Sequence, residues 1–220
     1  MKIINIDDFK YGKRVRRFKD APNPFYNATT IVDITPLVHL RKKHKLNAML
    51  CYCIQNAGQL IEQCHYDFRD ENTIVYYEKV YVNWVIDNKA GLHSYVGIPH
   101  QEKFCDFEKL YNFYNEKYAE NCEHYFVDGQ SLLSTTAIIN RKFESFDCGY
   151  TSDFLRSMLI WGKFYRKGVK YYLNMTFRFN HAFFDGKSSG EFFNQLQNQI
   201  YSFKKQLKRE KSIKFNLLIF

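Results

Sequence analysis

Asn180-His181-Ala182-Phe183-Phe184-Asp185-Gly186 is the segment whose side chains name a chemistry. Histidine is the side chain whose ordinary pKa suits proton transfer near neutral pH, so His181 is a candidate general base. Asp185-Gly186, four residues on, is common turn punctuation. A histidine ahead of an Asp-Gly turn is more often structural than catalytic, and this segment alone leaves both roles open.

Two elements must hold that turn. Val169, Tyr171, Leu173, Met175, Phe177 and Phe179 alternate with Lys170, Tyr172, Asn174, Thr176 and Arg178. This period of two predicts a strand with one apolar face. Beyond Gly186, Phe192, Phe193, Leu196, Ile200 and Phe203 recur at helical spacing, and Ser188-Ser189-Gly190-Glu191 reads as a capping box. A helix is therefore expected to start near Ser188, with Asp185 where its dipole favours negative charge.

A chain of 220 residues is long enough for one substantial core. Its 18% aromatic content, with 21 Phe and 17 Tyr, is that of a folded protein able to line an aromatic pocket. The net charge of +9 is spread along the chain, which fits either a solvated basic surface or attraction to an anionic ligand. Six cysteines (Cys51, Cys53, Cys64, Cys105, Cys122, Cys148) have neither disulfide-framework nor metal-ligand spacing. They read as free thiols in a reducing compartment. The N-terminus turns acidic at Asp7-Asp8, too early for a signal peptide, and no apolar run is long enough to span a membrane. The expected location is the cytoplasm, with no membrane and no metal. Charge alone, without a recognition motif, does not support nucleic-acid binding.

The remaining pattern predicts strands over 29–34, 73–77, 80–86, 92–98, 131–139 and 157–165. Helices are expected near 36–42, over 46–61 and over 107–118. This mixture indicates an α/β layer structure on a mixed sheet. Residues 1–203 read as a single domain. Residues 204–220 read as a basic and apolar extension: a helix end rich in lysine, then a short docked strand over 215–220.

Together these features resemble the chloramphenicol acetyltransferase family over most of the chain. His181 to Gly186 fits the second half of the family's H-H-x-x-x-D-G signature. Phe68-Arg69 with the following strand, Thr136-Ala137 followed by Phe143, Ser145 and Phe146, and Gly162-Lys163-Phe164 fit three further segments in the same order. The resemblance implies a two-layer α/β sandwich of the CoA-dependent acyltransferase type. It also implies a homotrimer with the active site at the subunit interface, and direct transfer of acetyl from acetyl-CoA to a small-molecule acceptor.

The same resemblance assigns roles. His181 would be the general base, and the Thr136 hydroxyl would stand in for a serine that stabilises the oxyanion. Asp185 would pair with Arg14 and hold the histidine turn; as a buried pair it would be worth roughly 3–5 kcal/mol on loss of one partner. Lys45 and Lys163 would meet CoA phosphates. Tyr26, Phe164 and Ile160 would line the acceptor pocket.

Several positions depart from the family pattern. Asn180 stands where a first histidine is usual, Arg178-Phe179 replace glutamine and a small aliphatic, and Lys187-Ser188 replace an aromatic and a histidine. Ile139-Asn140 replace Pro-Trp, and Ile160 replaces a pocket threonine. The expected activity is O-acetyl transfer with chloramphenicol as leading acceptor; a different acceptor, or a ligand-binding relative without catalysis, are the alternatives. The acyltransferase cores of 2-oxo-acid dehydrogenase complexes share a similar turn, but no lipoyl-like segment precedes it here.

Overall fold

A computed structural model describes residues 1–89, 91–120, 123–147 and 157–217. In chain order the elements are β1 (Lys2–Asn5), α1 (Gly12–Lys19), β2 (Phe25–Asp33), α2 (Thr35–Val38), α3 (Leu46–Gln59), β3 (Tyr66–Phe68), β4 (Thr73–Tyr76), β5 (Val80–Asp87), β6 (His93–Ile98) and α4 (Phe104–Lys117). They continue with β7 (Ser131–Ile138), β8 (Met158–Gly162), β9 (Tyr165–Lys167), β10 (Lys170–Asn180) and α5 (Gly186–Leu217).

The main sheet runs in the order β2-β10-β8-β7-β5-β6, with β9 paired to β10. β7 is parallel to β8 and to β5, and the other pairs are antiparallel, so the sheet is mixed as expected. A separate sheet of three short strands runs β1-β4-β3. Leu159, Leu173, Met175, Phe177 and Phe179 of the main sheet share one core with Met49 and Ile54 of α3 and Phe192, Leu196 and Ile200 of α5. Phe177 meets Phe192 edge to face at 4.7 Å. Burying a phenyl ring of this kind contributes roughly 1.5–3 kcal/mol, which explains why the apolar spacing determines where β10 and α5 meet.

The face of β10 opposite its apolar one is covered as well, by the loop around Phe143 and by side chains of neighbouring strands. Asn174, Thr176 and Arg178 are all buried, each with a partner. The Asn174 amide donates to the Phe143 carbonyl at 2.6 Å and accepts from the Tyr165 hydroxyl at 3.2 Å. Thr176 shares a hydrogen bond of 2.7 Å with Thr29. The Arg178 guanidinium lies 4.6 Å from the Phe25 ring centre. Val169, expected on the apolar face, instead sits in the two-residue turn with Gly168 and is 79% exposed. Gly168 supplies the positive φ of 61° that such a hairpin turn takes.

Other boundaries also moved. The expected strand over 157–165 is two strands, β8 and β9, separated by Lys163-Phe164. The helix expected near 36–42 has only four residues. α5 continues past 203 to Leu217, so the expected strand over 215–220 is helical as far as Leu217; the last three residues lie outside the described ones. α3 is buried nearly all round, because α4 and α5 as well as the sheet pack against it. Cys51, Cys53 and Cys64 are accordingly free and buried while Cys105 is exposed; burial pushes the Cys51 thiol up to about 12. Cys122 and Cys148 lie outside the described residues. No helix among the described residues is long and apolar enough to cross a membrane.

α1 is seated by a close approach. A Cβ on Gly12 would lie 2.1 Å from the Ile6 carbonyl oxygen, a backbone atom with little room to yield. Gly12→Ala should therefore lower stability by about 1–3 kcal/mol, read as a fall in the urea midpoint without a change in slope.

Candidate active site

The end of β10 sets the position of His181. The Asn180↔Phe25 pair is the last of the β10–β2 ladder, after which the His181 N–H donates to the Pro24 carbonyl at 2.7 Å. Asn180 then turns the chain. Its side-chain oxygen accepts from the Ala182 N–H at 2.9 Å, and its backbone oxygen accepts from Phe183 and Phe184 at 3.1 and 2.9 Å. An asparagine suits this Asx turn, which gives the departure from the family histidine a structural use.

The imidazole of His181 stacks on Phe18, with centroids 4.2 Å apart, and meets Tyr26 edge-on at 4.9 Å. Its Nδ1 lies 2.8 Å from the Phe184 carbonyl oxygen. A carbonyl has no proton to give, so Nδ1 donates and Nε2 of the neutral ring keeps its lone pair. That is the tautomer a base requires.

Asp185 does two jobs. Its Oδ1 accepts from the Ser188 N–H at 2.9 Å, and the Ser188 hydroxyl accepts from the Asp185 N–H at 2.9 Å. This is a reciprocal cap on α5, so Asp185 rather than Ser188 starts the helix, and Ser188 takes the third position of the box. The other carboxylate oxygen, Oδ2, pairs with Arg14 Nη1 at 2.9 Å. Arg14 also donates from Nε to the Ala182 carbonyl at 3.2 Å and from Nη2 to the Phe183 carbonyl at 2.5 Å. The Ser188 backbone hydrogen bond, aided by Arg14, holds the Asp185 carboxyl down at about 2. The pair is not buried: the Arg14 and Asp185 side chains are 20% and 45% exposed. Water therefore screens it, and the 3–5 kcal/mol expected of a buried pair does not apply.

Thr136 lies in a row across four strands: Thr136↔Ile160↔Thr176↔Thr29. Its neighbour Thr135 turns its hydroxyl towards α3, donating to the Asn83 carbonyl, so alternation puts Thr136 on the opposite face of the sheet. Lys45, Lys163 and Phe164 line a cavity of about 410 Å³ together with Tyr111, Ile139 and Trp161. Tyr26 is not in this cavity; its hydroxyl meets Ser189 Oγ at 2.5 Å, beside the histidine turn. Among the described residues no cluster of His, Cys, Asp and Glu is arranged to hold a metal ion.

The candidates thus form three groups: His181, Asp185, Arg14 and Tyr26 at the turn; Lys45, Lys163 and Phe164 at the cavity, on the α3 side of the sheet; and Thr136 and Ile160 on the opposite face. His181 is five residues along and two strands across from Thr136, which at about 3.4 Å per residue and 4.8 Å per strand is roughly 20 Å. It is eight residues along β10 from Leu173 of the cavity, roughly 27 Å.

The sequence model of the chloramphenicol acetyltransferase family matches residues 1–197. The chain belongs to this family. A chloramphenicol acetyltransferase of Staphylococcus aureus is 26% identical over 184 residues, covering 80% of this chain and 85% of the relative. The solved structure of a chloramphenicol acetyltransferase superposes with a TM-score of 0.80 at 17% identity, covering 90% of this chain and 99% of the other. A probable dihydrolipoamide acetyltransferase from Listeria monocytogenes gives 0.66 at 14% identity, covering 90% and 93%. These structures share the CoA-dependent acyltransferase fold, as do the α/β layers and mixed sheet seen here.

Within this chloramphenicol acetyltransferase fold, three residues escaped the sequence reading. Phe18 supplies the ring under His181, Thr176 restores a hydroxyl beside Ile160, and Arg41 lies against the cavity residue Phe164 at 5.7 Å. Register and loop packing bring these residues in, and a single sequence carries no signal for either.

The Asp185 carboxyl has a folded pKa below its ordinary 3.8, so its contribution is complete above that value and is lost as pH falls towards about 2. Asp185→Asn keeps an oxygen for the cap and removes the charge. Thermal melts should find the variant less stable than wild type at pH 7, with the gap closing between pH 4 and pH 2; a constant gap would place the stabilisation elsewhere.

Proposed function

We propose that the protein is an O-acetyltransferase, moving acetyl from acetyl-CoA to the hydroxyl of a small molecule, with chloramphenicol the leading acceptor. The observation that carries this reading is the His181 ring, held through Nδ1 by the Phe184 carbonyl with Nε2 left to accept a proton. Family membership supplies the reaction class.

In this mechanism Nε2 takes the proton of the acceptor hydroxyl as its oxygen attacks the thioester carbonyl. The Thr136 hydroxyl donates to the oxyanion that forms. Collapse breaks the carbon–sulfur bond, and the departing thiolate takes the proton back from Nε2, so proton and electron pair balance. Phe18 and Tyr26 hold the ring, and the Arg14–Asp185 pair holds the turn. Lys45 and Lys163 give the cavity two cations suited to the phosphates of CoA, and at about 410 Å³ the cavity is within the ordinary range of ligand sites.

The roughly 20 Å between His181 and Thr136 within one chain is far beyond hydrogen-bond reach, which supports a site shared between copies of the chain, as in a trimer. The Thr176–Thr29 hydroxyl pair next to the apolar Ile160 favours a second acceptor reading, in which another hydroxylated molecule takes the place of chloramphenicol.

A thiol-release assay with acetyl-CoA and an acceptor panel headed by chloramphenicol tests the activity. His181→Ala should abolish release, and Thr136→Val should reduce kcat by about 100-fold or more while Thr136→Ser retains it. Unfolding and refolding the two inactive variants together should recover part of the activity, because some sites then combine an intact histidine with an intact threonine. No recovery, with oligomers re-formed, would mean that base and hydroxyl come from one chain. Full turnover by His181→Ala would reject the mechanism.

A further inference from the structure

A second cavity, of about 480 Å³, lies between the C-terminal half of α3, the turn ahead of α4 and the later turns of α5. It shares no lining residue with the cavity that holds Lys45 and Lys163. Its α5 wall runs from Gln199 to Glu210, past residue 197 where the match to the family ends. The walls are fixed by bonds to their surroundings. Gln59 of α3 accepts from the Val80 N–H at 3.0 Å and donates to the Glu78 carbonyl at 2.8 Å. The Tyr52 hydroxyl donates to the Glu102 carbonyl at 2.7 Å. The Glu210 carboxylate accepts from the Phe104 and Cys105 N–H groups at 2.9 and 3.3 Å, which ties α5 to the start of α4.

Three lining groups keep unused capacity. His100 donates from Nδ1 to the Val80 carbonyl at 2.9 Å, and burial holds its pKa below the ordinary histidine value. The ring is therefore neutral near pH 7, with a lone pair on Nε2 that has no partner among the described residues. Lys103 and Arg209 are exposed and have no ion-pair partner among the described residues. The two carboxylates of the lining are engaged elsewhere, Glu210 by α4 and Glu102 by Lys79 at 3.6 Å. Leu60, 58% exposed, adds an apolar patch.

A neutral imidazole nitrogen calls for a donor, and a guanidinium beside an ammonium calls for an anion. An ammonium donor would be repelled by the same two cations, which leaves a hydroxyl. The structure assigns this cavity as a binding site for a small organic anion that also carries hydroxyl groups, of the sugar phosphate or sugar acid kind. A hydroxyl donates to His100 Nε2, the phosphate or carboxylate meets Arg209 and Lys103, and the carbon body lies against Leu60. The volume is in the ordinary range of ligand sites. This site is independent of the acetyl transfer proposed above.

Calorimetric titration of the full chain with glucose 6-phosphate and with gluconate tests the assignment and tells phosphate from carboxylate. At least one should bind about 10-fold more tightly than inorganic phosphate, acetate or glucose, each of which carries only part of the chemistry. Arg209→Ala should weaken that binding by about 10-fold, the loss of one charge-assisted hydrogen bond, and Arg209→Lys by less. His100→Asn keeps a donor for the Val80 carbonyl and removes Nε2; it should bring the ligand down towards the affinity of the simple anion. Lys163→Ala, in the other cavity, should leave binding unchanged. The assignment is overturned if neither ligand binds, or if inorganic phosphate or acetate binds as tightly, which would be attraction to charge alone. It is also overturned if binding survives Arg209→Ala but is lost in Lys163→Ala, which would put the anion in the other cavity.

Discussion

One guanidinium holds the histidine turn together. Arg14 reaches from α1, near the start of the chain, to three acceptors in four consecutive residues: the carbonyls of Ala182 and Phe183 and the carboxylate of Asp185. Ala182 and Phe183 lie beyond the β10–β2 ladder, which ends at Asn180↔Phe25. Without a donor their carbonyls would need water or a different turn. The same carboxylate caps α5, so a single arginine connects the N-terminal helix, the histidine turn and the longest helix of the chain. Its strength comes from geometry rather than from depth, because both side chains remain in contact with solvent.

The geometry of the histidine turn was legible where it is local. His181, Asp185 and the strand and helix flanking them follow from alternation, helical spacing and a turn motif within about forty residues. The Arg14–Asp185 pairing came only through resemblance, since 171 residues separate the partners. The start of α5 was misplaced by two residues because Ser188-to-Glu191 and Asp185-to-Ser188 are both plausible capping boxes, and only the tertiary pull of Arg14 on Asp185 favours the second. Alternation records the polarity of the second face of β10 and not what packs on it. Met by the Phe143 carbonyl and by the Tyr165 and Thr29 hydroxyls, Asn174 and Thr176 are buried hydrogen-bonding groups.

Backbone groups hold several of the residues beside the proposed chemistry. Asn180 bonds the turn through its own amide oxygen, His181 is oriented by the Phe184 carbonyl, and Asn174 fixes the Phe143 loop that runs near the cavity wall. Side chains held this way keep their orientation when neighbouring side chains change.

The cap at Asp185 also sets how the molecule would fail under heat. The first turn of α5 and the histidine turn share one carboxylate, so loosening that turn releases His181 even while Phe192, Leu196 and Ile200 keep the rest of the helix in the core. Local opening of this kind costs less than global unfolding. The cooperative unit that holds the histidine turn is thus smaller than the one that holds the fold, and the turn can open while the sheet stays formed.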